Sequence, residues 1–246
     1  KPDLWLDQDL AWQFARPNKQ YSVKFGGQVV HMGDKKEWHP SEDVSAWAYD
    51  EIIPGYGGEV ANPLRLWTAH AGNLFNLDEF NKGDYHSAVH AQNSDENITR
   101  VLYPNDSTDS GRELRLKQEY FLVSASVHDI VARHKCRFAD IRTLADEVAI
   151  HLNDTHPVLA IPELMRILID EEGLAWTEAW NMCCKIFSYT NHTLMSEAFE
   201  TWTVDLIGRL LPRHLDIIYE INSYFLNALR AIGNYDDEFI SRVSII

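Results

Sequence analysis

Residues able to do chemistry crowd one short stretch, His151-Leu152-Asn153-Asp154-Thr155-His156-Pro157. His151, Asp154 and His156 supply imidazole and carboxylate groups, which are ligands for zinc or a harder cation. Their spacing matches no known metal motif, and on a strand His151 and Asp154 would point to opposite faces. Two other interpretations stay open. Asp154 would cap nearby backbone amides within the loop, or the loop as a whole would face a ligand.

The elements that flank this stretch predict where it lies in a fold. A short apolar run, 148–150, comes before it, and a strongly helical run, 161–172, follows. Pro162 suits the first turn of that helix, and Gly173 suits the position just past its end. The pattern is therefore strand, polar loop, helix. In open α/β sheets, ligands bind beyond the carboxyl ends of the strands.

Other polar candidates lie in a turn-rich segment and in a second polar loop. Asn105 and Asp106 are common turn formers, but their side chains also hydrogen-bond sugar hydroxyls. Arg115 is predicted one turn into the next helix, where the helix dipole disfavours a cation. This position predicts an anionic partner, with a solvated arginine as the alternative. His192 follows an aromatic-rich helix and is either a structural residue or a ligand-facing one.

Composition excludes several classes of protein. The 246 residues are 45% hydrophobic and 24% charged, which is typical of a globular protein with a large core. A net charge of −15 disfavours binding to nucleic acid and to anionic membrane surfaces. The three cysteines form no CxxC motif, so neither a zinc site nor a disulfide scaffold is indicated, and a cytoplasmic location fits best. No apolar run reaches the roughly 20 residues of a membrane span.

Hydrophobic periodicity predicts an α/β protein in which a β-meander precedes long helices and one βα unit. Residues 21–25 and 29–31 alternate around Gly26-Gly27, which predicts a β-hairpin. Two further strands are predicted at 44–53 and 64–69. The predicted helices, besides the one at 161–172, are 76–92, 113–134, 176–189, a short one at 196–202, 204–211 and 212–231.

Several longer motifs run through the chain. They are Glu96–Asp106, Gly111–Tyr120, His151–Pro157 with Ile161–Arg166, Ser188–Leu194 and Leu211–Leu215. Together they resemble the α-glucan (glycogen, starch and maltodextrin) phosphorylase family, over essentially the whole chain. Thr108 and the adjacent pair Cys183-Cys184 resemble the bacterial glycogen phosphorylase branch.

The resemblance implies a fold and a domain organisation. It implies part of a glycosyltransferase-B-type N-terminal domain, with residues 1–75 a mainly β excursion and residues 76–246 mainly helical with one βα unit. The chain is interpreted as a piece of a longer protein, without the C-terminal cofactor domain. The segment 76–92 resembles a helix that packs across a homodimer interface. The segment 213–222 resembles one that forms a glycogen-storage site in animal members.

The resemblance also implies an activity. The parent enzyme would be a cytoplasmic, homodimeric glycosyltransferase that splits α-1,4-glucan with inorganic phosphate and releases glucose 1-phosphate. It would use pyridoxal 5′-phosphate, whose phosphate acts in acid–base catalysis. The cofactor lysine would lie outside this chain, so no catalytic residue is assigned here and the isolated piece is expected to be inactive.

Six substrate-binding residues follow from the motifs. They are Asn105, Asp106, Arg115, Asp154, His156 and His192. The first two would lie in a loop that gates the active site, and Arg115 would line the approach of phosphate. Asp154 and His156 would line the pocket at the β face of glucose, and His192 would contact the glucosyl unit.

Departures from the animal pattern limit what is carried over. Thr108 stands where animal enzymes have the aromatic residue of a purine site, and Ala132-Arg133 replaces an Arg-Arg pair that binds AMP. Asp216 replaces a glutamine of the storage site. These ligand sites are therefore not expected. Two rival functions remain: a non-catalytic glucan-binding module, and a metal-dependent hydrolase built on His151, Asp154 and His156.

Overall fold

The computed structural model describes residues 13–33, 35–71, 76–195 and 199–246. It is a mixed α/β structure, as the sequence predicts, and it divides into two compact units. Among the described residues, unit 1 combines 13–24 with 42–71 and 76–139, and unit 2 combines 25–33 and 35–41 with 140–195 and 199–246. Within the described ranges, no helix is both long enough and apolar enough to cross a membrane.

Unit 1 contains a three-stranded sheet of long strands. They are β1 (Gln13–Phe25, whose last residue belongs to unit 2), β4 (Glu42–Pro54) and β5 (Ala61–Ala71), in the order β1-β4-β5. Strands β4 and β5 run antiparallel, with Ala46 opposite Ala69. Alternate residues of β4, from Val44 to Asp50, are buried, which is the period of two expected for a sheet with one covered face.

The predicted hairpin around Gly26-Gly27 is wrong in its pairing. Strand β1 pairs with β4, whereas β2 (Gln28–Met32) pairs with β3 (Lys35–His39) in a separate two-stranded sheet of unit 2. The amide of Gly26 donates instead to the carbonyl of Leu210, at 2.7 Å. Both glycines have positive φ, and a Cβ on Gly27 would lie 1.9 Å from the carbonyl oxygen of His39. The glycines therefore allow a close backbone approach rather than a fold-back turn.

The single helix predicted at 76–92 is also wrong. The chain forms α1 (Leu77–Asn81) and α2 (Tyr85–Asn97) instead. Gly83 between them has φ 87°, which ends α1, and the side chain of Asp84 restarts the helix by accepting from the amide of Ser87 at 3.0 Å. The break at Gly83 and the N-cap at Asp84 therefore outweigh the apolar spacing that predicted one continuous helix.

A half-buried carboxylate on α2 gives a pH-dependent prediction. Partial burial and the nearby charge of Glu42 raise the pKa of Asp95 from 3.8 to about 6. The ionised form is thus disfavoured in the folded state. The free energy of unfolding therefore falls as pH rises from about 4 to about 6. Asp95→Asn is expected to increase the free energy of unfolding by about 1 kcal/mol at pH 7, after allowance for solvent screening.

Urea denaturation of this variant and the natural chain at pH 7 and at pH 4 checks the prediction. The gain should be much smaller at pH 4, where Asp95 is protonated in the folded state and partly protonated in the unfolded state. An equal gain at both values of pH would contradict the electrostatic explanation.

The long helix predicted at 113–134 is confirmed as α3 (Asp109–Lys135). It begins four residues earlier than predicted because the hydroxyl of Thr108 caps it, accepting from the amide of Gly111 at 3.1 Å. Its buried face includes Leu116, Tyr120 and Val127, at the spacing of a helix that covers a core.

Unit 2 is built on a parallel pair of strands joined through helices. After a short helix α4 (Leu144–Glu147) come strand β6 (Ile150–Asn153) and helix α5 (Ala160–Arg166). Helix α5 continues as a π-helical turn over 167–171. The predicted helix 176–189 ends early. Residues Trp176–Ile186 form α6, and Phe187–Thr190 form β7, which pairs in parallel with β6. Backbone pairing with β6 outweighs the local helical pattern.

Three more helices complete unit 2. They are α7 (Val204–Leu210), α8 (Pro212–Ile232) and α9 (Asp237–Val243). The first two confirm the prediction, including the left-handed Gly233 that ends α8 at φ 78°. Of the helix predicted at 196–202, residues 199–202 are not helical, and residues 196–198 lie outside the described part of the chain.

Candidate active site

The two predicted polar loops leave the same edge of the β6–β7 sheet. The strands run in parallel with Asn153 opposite Thr190, so the loops at 154–157 and 191–193 both begin at the carboxyl ends. The amide of Asp154 donates to the carbonyl of Thr190 at 3.0 Å, which extends the pairing by one bond. This edge is where an α/β sheet binds ligands.

Asp154 holds a strained turn at this edge. Its φ is 71°, in the left-handed region that residues other than glycine adopt with a cost. Its carboxylate accepts from the amide of Thr155 at 2.8 Å. The predicted amide-capping role of Asp154 is therefore confirmed. Strain of this kind is common at functional sites, where the surrounding structure stabilises it.

His151 lies in strand β6 and not in the loop, which corrects the predicted strand at 148–150. Its Nδ1 lies 2.9 Å from the hydroxyl of Ser188 and its Nε2 lies 2.7 Å from the hydroxyl of Thr190. Both ring nitrogens are thus engaged across the sheet. Among the residues that the structure describes, no group of three or more His, Cys, Asp and Glu side chains is arranged to hold a metal ion. The metal-hydrolase alternative has no geometric support.

His192 and Asn153 connect the two loops. The Nε2 of His192 lies 2.5 Å from the Oδ1 of Asn153, so this nitrogen carries the proton and donates. The imidazole is exposed, as a residue that contacts a ligand must be. The next bond, from Asn191 to the carbonyl of Thr193 at 2.7 Å, folds the second loop on itself. His156 lies half-buried in the turn that leads from the first loop to α5.

In unit 1, the segment that carries Asn105 and Asp106 is tied to the first turns of α3. The Oδ1 of Asn105 accepts from the amide of Ser107 at 2.8 Å, which confirms its turn-forming role. A carboxylate oxygen of Asp106 lies 3.4 Å from Nη1 of Arg115. Both Asn105 and Asp106 are exposed.

Arg115 has the anionic partners that the sequence predicts. Besides Asp106, the buried carboxylate of Glu119 lies 3.6 Å from its Nε, and the guanidinium lies 5.5 Å from the centre of the Tyr103 ring. Its predicted position is corrected: because α3 begins at Asp109, Arg115 lies in the second turn, where the helix dipole is weak. The ion pairs, and not the dipole, account for its placement.

The whole chain matches one family model. Residues 1–246 match the model described as "Phosphorylase: Carbohydrate phosphorylase". The chain belongs to the carbohydrate phosphorylase family. The predicted family resemblance is therefore confirmed.

Family members with curated names show how much of such a protein this chain represents. It is 58% identical over 246 residues to a glycogen phosphorylase of Pasteurella multocida and 55% identical to one of Haemophilus influenzae. It is 48% identical over 252 residues to the liver form of Homo sapiens. The chain spans about 30% of the length of each of these relatives.

Sequence reasoning missed a buried ionic cluster in this phosphorylase-family chain. Glu163 on α5 accepts from Nε of Arg166 at 2.8 Å and from Nε2 of His214, on α8, at 2.6 Å. Burial by itself would raise the pKa of Glu163, but the charge of Arg166 and the bond from His214 lower it well below its ordinary value. Burial lowers the pKa of His214. A carboxylate at 163 and an arginine one turn later, within an apolar helix, was the available signal.

Gln118 was missed as well. It is buried on α3, and its side-chain amide bonds to three backbone groups of the segment 98–103. A glutamine three residues before Phe121 and seven before Ala125, on an apolar side of a helix, requires hydrogen-bonding partners, and that requirement is the signal a sequence offers.

Proposed function

We propose that this chain supplies the sugar-side wall of the active site of a glycogen phosphorylase. The reaction splits a terminal glucosyl unit from α-1,4-glucan with inorganic phosphate and gives glucose 1-phosphate. One observation carries the proposal, beside family membership. The parallel pair β6–β7 presents Asn153, Asp154 and His192 at its carboxyl edge, bonded to one another's loops and open to a ligand.

The chemistry of this edge suits a polyol. Because Nε2–H of His192 donates to Oδ1 of Asn153, Nδ1 is the ring nitrogen left to bond a sugar hydroxyl. The left-handed turn at Asp154 fixes the direction of the first loop before a ligand arrives, which lowers the entropy lost on binding. We assign substrate-binding roles to Asp154, His156 and His192 in unit 2. In unit 1 we assign them to Asn105, Asp106 and Arg115.

Pyridoxal 5′-phosphate, the cofactor implied by the family, does not fit the surroundings of Lys36. A lysine that forms a Schiff base must lose its proton, which requires an apolar or cationic setting. In unit 2, Lys36 lines a cavity of about 470 Å³, but its ammonium is engaged by two carboxylates, 2.7 Å from Glu220 and 3.5 Å from Asp216. The proposal places the cofactor lysine outside this chain, as the family resemblance implies.

The same proposal includes the finer features implied by the family. They are a glycosyltransferase-B-type N-terminal domain, of which this chain is part, a homodimer and a cytoplasmic location. The units described above support a mixed α/β domain fragment.

His192→Ala tests the proposal in the longest natural chain that carries this sequence. Loss of one hydrogen bond to the glucosyl unit is expected to lower kcat/KM for glucan phosphorolysis by about tenfold. Release of glucose 1-phosphate from a linear α-1,4-glucan is the measurement. His31→Ala, an exposed histidine on β2, is the matched control and should leave the rate unchanged.

The isolated 246 residues give a second outcome. They are expected to release no glucose 1-phosphate, because the acid–base group lies outside them. Absence of release from the longest natural chain would refute the proposed function. Tight binding of a malto-oligosaccharide by the isolated residues, with no release by either form, would instead indicate a glucan-binding module.

A further inference from the structure

One buried side chain in unit 1 organises the segment that leads to Asn105 and Asp106. The Oε1 of Gln118 accepts from the amide of Tyr103 at 2.9 Å. Its Nε2 donates to the carbonyl of Ile98 at 2.6 Å and to the carbonyl of Val101 at 2.8 Å. Three backbone groups, spread over six residues of irregular chain, are thus satisfied by one planar amide.

The geometry requires a glutamine. The site needs one acceptor and two donors on the same rigid group, which the side chain of glutamine supplies. A carboxylate of the same size could accept from Tyr103 but would face two carbonyl oxygens without a proton to share. Because Gln118 is only 3% exposed, water cannot replace the lost bonds at low cost.

The segment 98–103, which Gln118 holds, is strained at its last residue, and the chain that follows is exposed. Tyr103 has φ 53°, a left-handed conformation that is rare for a bulky residue. Asn105 and Asp106, two and three residues further along the chain, are exposed. Without a fixed point at Tyr103, the backbone would relax toward commoner angles and carry both side chains away from their present positions.

We propose that Gln118 is a positioning residue for Asn105 and Asp106. It fixes the backbone at Tyr103, and so the direction in which the next residues present their amide and carboxylate to substrate. This role rests on the proposed function for its effect on substrate. Its effect on the segment is independent of that function.

The variant Gln118→Glu separates the effect on the segment from the effect on substrate binding. In the 246-residue chain at pH 8, amide hydrogen exchange at Tyr103 is expected to become at least about tenfold faster, while exchange in the core of α3 stays unchanged. In the longest natural chain, KM for glucan is expected to rise about tenfold with a smaller change in kcat. Toward pH 5 the acid can donate again, so part of the lost protection and affinity should return.

Two further variants keep the test decisive. Gln20→Glu, an exposed glutamine with one bond to the carbonyl of Pro17, is the matched control and should change neither exchange nor KM. Gln118→Met removes all three bonds with little change in volume and should reproduce the effects without their pH dependence.

The outcomes are distinguishable. Faster exchange at Tyr103 without any change in KM would overturn the positioning role while leaving the proposed function intact. Unchanged exchange in both Gln118 variants would overturn the inference itself. Global unfolding of both variants, seen by circular dichroism, would also overturn it, because Gln118 would then serve the stability of the fold.

Discussion

Glu163→Gln is expected to destabilise the folded chain by about 3 kcal/mol at pH 7. Glu163 is fully buried, and its carboxylate neutralises Arg166, whose side chain is 9% exposed. Without that carboxylate, Arg166 keeps only the exposed Glu171, which lies 2.7 Å from its Nη1, and losing the buried partner costs more than the pair itself contributes. The bond from His214 becomes weaker as well, which loosens the contact between α5 and α8. Urea denaturation followed by circular dichroism measures the change.

The pH dependence identifies the cause. The pKa of Glu163 is lowered in the folded state, so its stabilising contribution is present above the ordinary carboxyl pKa of 4.5 and is lost as pH falls toward the lowered value. The difference between the natural chain and Glu163→Gln should therefore shrink below about pH 4. Glu238→Gln, an exposed glutamate on α9, is the control and should be neutral. A loss for Glu163→Gln that stays constant down to pH 3 would show that packing and not charge is responsible.

Gly111→Ala is expected to cost about 2–3 kcal/mol and to displace the segment that carries Asn105. A Cβ at position 111 would lie 2.0 Å from the carbonyl oxygen of Asn105, which is backbone and cannot rotate away. Gly111 lies in the first turn of α3, where alanine would otherwise favour the helix by about 0.5–1 kcal/mol. The steric overlap is much larger than that gain. Thermal unfolding gives the global effect, and exchange of the Ser107 amide reports the local one.

Gly208→Ala is the matched control for this substitution. Gly208 is also helical, but a Cβ there would lie 3.1 Å from a terminal methyl of Leu215, which a small rotation can move. This variant is expected to be neutral or slightly stabilising. If Gly111→Ala were as well tolerated as Gly208→Ala, the close contact with Asn105 would not restrain the segment.

The helices whose start and stop signals are local were predictable from the sequence. Pro212 and Gly233 bound α8 because the proline ring fixes φ at the start, and glycine, without a Cβ, permits the left-handed angle at the end. At 76–92 the local pattern gave a wrong prediction of one helix, because Gly83 and the Asp84 cap outweigh the apolar spacing there. Strand pairing was less predictable. The turn at Gly26-Gly27 looks like a hairpin, yet its partners are Leu210 and His39, which no local pattern reveals.

The candidate site was likewise predictable from the sequence only in part. Residue type alone predicted that the stretch from His151 to Pro157 is a polar strand end, and long motifs predicted the family. Only the tertiary structure decided that Phe187–Thr190 is a strand paired in parallel with β6, so that His192 and Asn153 meet. It also decided that both nitrogens of His151 bond across the sheet. The physical reason is that motif chemistry and caps act within a few residues, whereas strand pairing and buried charge depend on partners distant in sequence.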